Sequence, residues 1–555
     1  MTPKLPKLFL YLLGAILLLN LLQSNFTELI FDEAYYWYYA QDLAWGYFDH
    51  PPMVAFLIKI SSFFFDGELG VRFMSCMLSA GTFIFLWLLV DHPKKNNCVF
   101  HFFVLVFSMT LLNAYGFFTL PDTPLLFFTA VFLWVYKKFI KTPSFMWAIL
   151  LGVVMAFLMY SKYHAVLVIL FVLLSNPKLV LNTFAWLSVI VAVACYLPHF
   201  LWLYAYDFVS IKYHLFERPN RAYEFSDFTL GFLINLVAIF GLTFPWIYQS
   251  LFKTKGTDKF TKALLYISYG TLLFFFVSSF NRRVQTQWII VVCIPMAVIA
   301  FNFMLRNATA KKWIYRMGIV NIVLLLYLRL GLAFEPLFPI IYESHGNKSW
   351  VKALESQIGD MPVVFENSYR LSPMYAFYSG SSTYSLNNIR YRQNQYTIDD
   401  SESKVQHQKV LYVSKYLKEG DITFPNNKGT PYFGYYIADF ESFRKLRCYV
   451  DDEPISLDSG EEIVLKVYNP YEFDIALEKL SFGIAYLNKY KQVKEILPLE
   501  TRKIQETTVK LKSKDTIAYT FTLPKPKMTE PGYFKVSISE NGLYLGINGE
   551  NIELK

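Results

Sequence analysis

Residues 7–45 read KLFLYLLGAILLLNLLQSNFTELIFDEAYYWYYAQDLAW, an apolar run followed within about ten residues by two adjacent carboxylates and a band of aromatic residues. The run over 8–22 comes close to the length of about 20 residues that crosses a bilayer's hydrocarbon core. It lacks a small-residue cleavage site, so it reads as a retained first membrane helix and not as a signal peptide. Residues 32–45 place aromatic and apolar side chains at helical spacing, as in a helix lying at the membrane interface. Gly46 and Pro51-Pro52 then mark a turn, and 52–65 is apolar but too short to span.

The same pattern continues outward along the chain. Of its 555 residues, 54% are hydrophobic and 19% aromatic, and the apolar ones collect in blocks instead of spreading through amphipathic patterns. About eleven windows read as membrane helices: 7–23, 71–90, 98–117, 122–139, 145–160, 163–176, 180–203, 228–250, 262–280, 287–305 and 316–338. The fold class expected is a polytopic α-helical membrane protein. Its net charge of +9 does not point to nucleic acid, because the cations cluster in alternate short loops. Those loops hold Lys4 and Lys7, Lys94 and Lys95, Lys137, Lys138 and Lys141, Lys178, Lys253 to Lys262, and Arg306 to Arg316, against little more acid than Asp91 and Asp258. The positive-inside rule then puts the N-terminus in the cytoplasm and the C-terminal region outside.

Beyond residue 340 the apolar blocks stop. Residues 341–446 mix helix-like and strand-like runs, such as MPVVFENS and KVLYVSKY, and suggest a small α/β domain. From 447 to 555 the apolar residues alternate at period two, as at Ile463, Leu465 and Val467, or Ile517, Tyr519 and Phe521. Asn541-Gly542 marks a hairpin between the last two runs, 534–538 and 543–547. This is the pattern of a β-sandwich-like accessory module. Of the five cysteines only Cys448 lies in the soluble part, and no metal-type cysteine spacing occurs.

The candidates for chemistry gather in the loops expected outside. Asp32 reads either as a helix N-cap or as a functional carboxylate, with Glu33 beside it and Tyr35 and Tyr36 following. Aromatic faces of that kind stack on sugars. Asp122, in TLPDTPLLFF, is either a helix cap or a second functional carboxylate, since a charge at the head of a membrane helix is costly. Lys162 in YSKYH is a snorkelling lysine or a phosphate clamp, with His164 next to it. Arg282 and Arg283 suit the same clamp, because a guanidinium offers phosphate two parallel hydrogen bonds. Asp49 and His50 are further substrate-contact candidates. The loop 204–227 carries Lys212, His214, Glu217 and Arg218 and reads as a solvated segment or a mobile cover; Arg390 and Arg392 face either solvent or an acceptor.

The stretch FDEAYYWYYAQDLAWGYFDHPPMVAFLIKI closely resembles the first-loop signature of GT-C glycosyltransferases of the protein mannosyltransferase and aminoarabinose transferase type, in the bacterial branch with DEAYYW and GYFDHPP. The likeness is dense over this loop and looser over the helices of residues 1–340. It implies the GT-C fold in a bacterial inner membrane and a glycosyltransferase. The donor implied is an undecaprenyl (polyprenyl) phosphate sugar, and the acceptor a lipid such as lipid A, a glycan or a protein at the periplasmic face. It places the catalytic or acceptor-orienting carboxylate on Asp32, raises Asp122 as the second acidic position, and gives Lys162 a counterpart in the family. Glu33 and Asp122 would position the acceptor or help hold a divalent ion; no cofactor is required and no closed metal site is legible. The rival from another class is a flippase or transporter of lipid-linked sugars, but such proteins carry their polar residues near the bilayer midplane and show internal repeats.

Overall fold

The computed structural model describes residues 5–450, 455–457, 460–505 and 507–555; Lys4 of the first basic cluster lies outside the described residues. The chain packs as two compact units. One holds the chain up to Asp207 together with Tyr223–His345, and the other holds Phe208–Ala222 together with Gly346–Lys555.

The first unit is helical, and all eleven apolar windows hold helix. Among the described residues six helices are long and apolar enough to cross a membrane unbroken: Lys7–Phe26, Gly67–Leu89, Asp122–Lys141, Thr183–Ala205, Lys259–Ser278 and Ala308–Ala333. Polar residues at their N-termini start three of them. Asn182, Asp258 and Asn307 each accept hydrogen bonds from backbone N–H groups of the first turn that have no partner within the helix. Asp258, an acidic exception among the basic loops, is therefore a cap.

The other five windows are short or broken. Phe145–Ser161, Ala165–Ser175 and Cys293–Met304 are shorter helices. The window 98–117 breaks at Met109, whose ψ of 113° leaves the helical region between Val99–Ser108 and Thr110–Ala114. The window 228–250 bends by 92° between Ser226–Ala238 and Gly241–Lys253. Gly241 sits at φ +58°, a backbone that side-chain-bearing residues rarely adopt. A broken helix at membrane depth needs internal partners for its freed backbone groups. One side chain serves both breaks: Asn321 Nδ2 donates to the Ser108 carbonyl at 2.5 Å, and its Oδ1 accepts from Leu242 N–H at 3.3 Å. Asn321 also fills the space that a Cβ on Gly241 would need.

The unit's core is unusually aromatic. Phe9, Trp87, Phe102 and Phe103 cluster with ring centroids 5.0–6.1 Å apart, all buried.

The second unit contains a five-stranded sheet in the order Thr383–Leu386, Val363–Glu366, Val410–Ser414, Pro431–Ile437, Ile422–Pro425. Its first three strands are parallel and the rest antiparallel. MPVVFENS and KVLYVSKY supply its two central parallel strands, buried except for the half-buried Glu366 at the end of the first. Farther along, two four-stranded antiparallel sheets share one core built from Leu465, Val467, Ile484, Tyr486, Phe534 and Val536. In Ile463–Tyr468 the odd-numbered residues are buried and Val464 and Lys466 exposed, the alternation expected of period two. At Asn541-Gly542 both residues have positive φ, 50° and 73°, as a type I′ turn demands. The run after it departs from expectation. Residues 543–547 form no strand, and the Leu545 carbonyl instead accepts from Ile389 N–H.

The loop 204–227 is also more ordered than a solvated cover. Lys212, His214, Glu217 and Arg218 fall in Phe208–Ala222 and pack within the second unit, where Asn220 N–H donates to the Tyr490 carbonyl at 2.9 Å.

Candidate active site

The carboxylates at the head of FDEAYYWYY separate into two roles. The helix is Phe31–Gln41, with Ile30 in the cap position, so Asp32 is its second residue and not its N-cap. The helix is more enclosed than an interfacial one: Glu33, Ala34, Tyr35, Tyr36 and Tyr39 are all buried. Glu33 is fully enclosed. Its Oε1 accepts from Arg72 Nε and Thr119 N–H, both at 2.8 Å, and its Oε2 accepts from Arg72 Nη2 at 2.5 Å and Ile30 N–H at 3.2 Å. Those four bonds use the lone pairs a carboxylate has to offer. In this structure Glu33 is an anchor that joins its own helix to Arg72 and Thr119. Asp32, one residue away, is half-buried.

Arg72 is the residue that sequence reasoning missed. Its remaining N–H groups reach the carbonyls of Ser24, Thr27 and Glu28, so it ties the end of the first helix to the start of the second. A lone arginine at the head of an apolar window was the available signal, since a charge there needs a partner. Arg329 presents the same signal in the last span. It donates to the Asn113 and Asn20 side-chain oxygens at 2.8 Å and lies 4.5 Å from the Phe117 ring centroid.

Asp122 and Lys162 were expected to act separately, and the structure joins them. Lys162 Nζ donates to Asp122 Oδ1 at 2.7 Å, and both residues are buried. Pro121 holds the cap position of the helix Asp122–Lys141, and Lys162 is turned inward, so neither the cap nor the snorkelling alternative describes them. A lone buried charge is costly, and the pair offsets that cost. Tyr342, beyond the last span, has its hydroxyl pKa raised by burial and then by the charges of Glu343, Asp32 and Glu33.

The loop after this helix folds back on it. Tyr35 Oη donates to Asp49 Oδ2 at 3.1 Å, the rings of Tyr36 and His50 meet edge to face at 5.6 Å, and Tyr39 stacks on Tyr47 at 4.3 Å. GYFDHPP is thus a brace for the Asp32 helix. Gly46 is required there, because a Cβ would lie 2.2 Å from the Trp202 ring. His164 packs between Phe275 and Trp288, at 5.5 and 5.6 Å, and so joins the Lys162 turn to the loop NRRVQTQW. On that loop Arg282 is half-buried and Arg283 exposed. Arg390 and Arg392 belong to the second unit. Among the described residues no three His, Cys, Asp or Glu side chains gather as a metal site.

The model of the dolichyl-phosphate-mannose-protein mannosyltransferase family matches residues 49–202. The lipid A galacturonosyltransferase RgtD of Rhizobium johnstonii is 20% identical over 297 residues, half of this chain and 61% of that protein; the chain thus spans about three-fifths of the relative's length. Among solved structures, ArnT from Cupriavidus metallidurans in the apo state superposes with a TM-score of 0.53 at 13% identity, covering 74% of this chain and 93% of that one. The same protein bound to undecaprenyl phosphate gives 0.51 at 13% identity, covering 73% and 92%. At these identities the likeness shows the fold alone: the chain shares the GT-C fold of the ArnT structures.

Proposed function

We propose that this protein transfers a sugar from an undecaprenyl-type polyprenyl phosphate to an acceptor at the periplasmic face of a bacterial inner membrane, with its N-terminus in the cytoplasm. The observation that carries this reading is the division of labour among the buried charges. Glu33 is consumed by Arg72, Asp122 and Lys162 are joined in a buried pair, and Asp32 is half-buried at the head of the same helix as Glu33. The relatives support it in kind: RgtD is named for transfer to lipid A, and ArnT has been solved with undecaprenyl phosphate. A lipid acceptor is favoured by the first of these, ahead of a glycan or protein.

In this reading the acceptor oxygen attacks the anomeric carbon and the carbon–phosphate-oxygen bond breaks. The polyprenyl phosphate departs with the bonding pair. The acceptor's proton passes to Asp32, a half-buried carboxylate near the start of the first-loop helix. Lys162 and Arg282 stabilise the charge that grows on the departing phosphate. Asp122 holds Lys162 in place until phosphate competes for it. Tyr35, Tyr36 and the Asp49–His50 loop shape the wall beside Asp32. The reading requires no cofactor; adding a chelator to the assay below decides whether a divalent ion takes part.

The test is transfer from a panel of radiolabelled undecaprenyl-phosphate sugars in membranes, wild type against Asp32→Asn. Label should reach an acceptor in the wild type and fall by roughly 100-fold or more in the variant, the scale of losing a general base. Sugar that crosses the bilayer still attached to its carrier, equally in both proteins, would overturn the transferase reading and favour a flippase.

A further inference from the structure

The second unit contains a cleft of about 270 Å³ that the transfer chemistry does not use. Its wall is cationic: Arg390, Arg392, Lys491 and Lys535 line it against the single carboxylate Glu217. Three of the four cations are held in place. Arg392 lies over the rings of Tyr213 and Tyr369, at 5.4 and 5.0 Å, and its Nε donates to the Gln393 carbonyl. Lys491 Nζ donates to the Phe216 carbonyl, and Arg390 Nε to the Tyr544 hydroxyl. Lys535 differs. It is half-buried on the strand Tyr533–Glu540, and among the described residues no carboxylate lies within 4.0 Å of it. Burial lowers its pKa while Glu217 and Glu550 act on it only from a distance.

A second group in the lining also lacks a partner. Asn551 Oδ1 is buried and accepts no hydrogen bond among the described residues. A buried acceptor left unpaired is destabilising, so it marks a place where a donor belongs. Cations on one wall and an open acceptor on another suit a ligand that carries an anion and hydroxyl groups together. Guanidinium and ammonium groups match phosphate oxygens, and an open acceptor suits a sugar hydroxyl. The volume of about 270 Å³ falls just below the roughly 300 Å³ at which small-molecule clefts usually begin, which limits the ligand to about one sugar with its phosphate.

We infer that this cleft is a binding site for a phosphorylated saccharide, with Arg390, Arg392, Lys491 and Lys535 receiving the phosphate and Asn551 Oδ1 a sugar hydroxyl. It goes beyond the transfer reading and does not depend on it: the site binds, and no bond is made there. Its ligand is either the headgroup of a glycolipid or a phosphorylated glycan in solution, and the chemistry of recognition is the same.

The test is calorimetric titration of glucosamine 1-phosphate into the full chain in phosphatidylcholine nanodiscs, with N-acetylglucosamine and inorganic phosphate as separate probes. Saturable binding of the sugar phosphate is expected, roughly tenfold or more weaker in Lys535→Met and in Arg390→Ala, the second being an exposed position whose loss leaves the fold intact. Asn551→Leu should weaken the sugar phosphate and leave inorganic phosphate unchanged. Absence of saturable binding, equal affinity in wild type and both cation variants, or equal affinity for inorganic phosphate and the sugar phosphate, would overturn the inference. Lipid A placed in the nanodiscs identifies a lipid source if it displaces the soluble probe and a dissolved glycan if it does not. A protein that binds the probe but transfers no sugar would retain this site and lose only the reading of the preceding subsection.

Discussion

The Glu33 carboxylate and the Arg72 guanidinium meet at two points, 2.8 and 2.5 Å apart, with neither side chain exposed to solvent. Neighbouring acids in the sequence, Asp32 and Glu33, therefore answer to different selective demands. Removing one partner of a buried pair leaves the other charge uncompensated, at a cost of about 3–5 kcal/mol. Glu33→Gln and Arg72→Met should lower the thermal unfolding midpoint and the folded yield in detergent. Asp32→Asn should leave both unchanged while abolishing transfer. A stable, inactive Glu33→Gln would contradict the anchor role.

Asp122 and Lys162 should behave as one unit in kinetics. If Asp122 acts by holding Lys162, then Asp122→Asn and Lys162→Met each remove the same function, and the double variant is little worse than either. A double-mutant cycle on transfer rate is expected to show a coupling of roughly 0.5–3 kcal/mol. Additive losses would mean that the two residues act on different parts of the reaction.

Asn321 carries a structural burden that its place in an apolar helix does not advertise. Asn321→Leu would orphan the Ser108 carbonyl and the Leu242 N–H, each at about 1–3 kcal/mol. Limited proteolysis should then cut near the two helix breaks, at 109 and 239–241, sooner than in the wild type. An unchanged digestion pattern would show that the breaks are supported by something else.

The second unit should lose stability as pH rises toward neutrality. Burial pushes the Glu540 carboxyl from 4.5 up to about 7, with Arg444 opposing. The folded protein thus keeps a proton that the unfolded chain releases. Its contribution is fully present below about pH 4.5 and declines until about pH 7, by roughly 3 kcal/mol in all. Denaturant unfolding of the full chain, followed through the second unit across this window, should show that slope. Glu540→Gln, neutral at every pH, should flatten it; a slope that persists would assign the proton to another group.

The spans were legible because a bilayer imposes a length on any helix that crosses it, and residues 7–26 or 308–333 meet that length locally. The strand alternation at Ile463, Leu465 and Val467 is local in the same sense, since successive side chains must point to opposite faces. Asn541-Gly542 announced a turn because few other residues tolerate positive φ at both positions. Residues 543–547 misled for the matching reason. Their alternation fits a strand, but whether a strand forms depends on a neighbour, and the Leu545 carbonyl found Ile389 instead.

What the sequence by itself determined was therefore the membrane class of this protein, the position of its apolar blocks, the carboxylate- and aromatic-rich first loop and the β-rich tail. Each follows from contacts within one turn or one pleat. Only the tertiary structure decided which acid is an anchor. Arg72 lies 39 residues from Glu33 and Lys162 lies 40 from Asp122, and no local rule selects these partners from the other charges. The choice is made by packing, because a charge taken out of water must find its counterion wherever the folded chain brings one within reach.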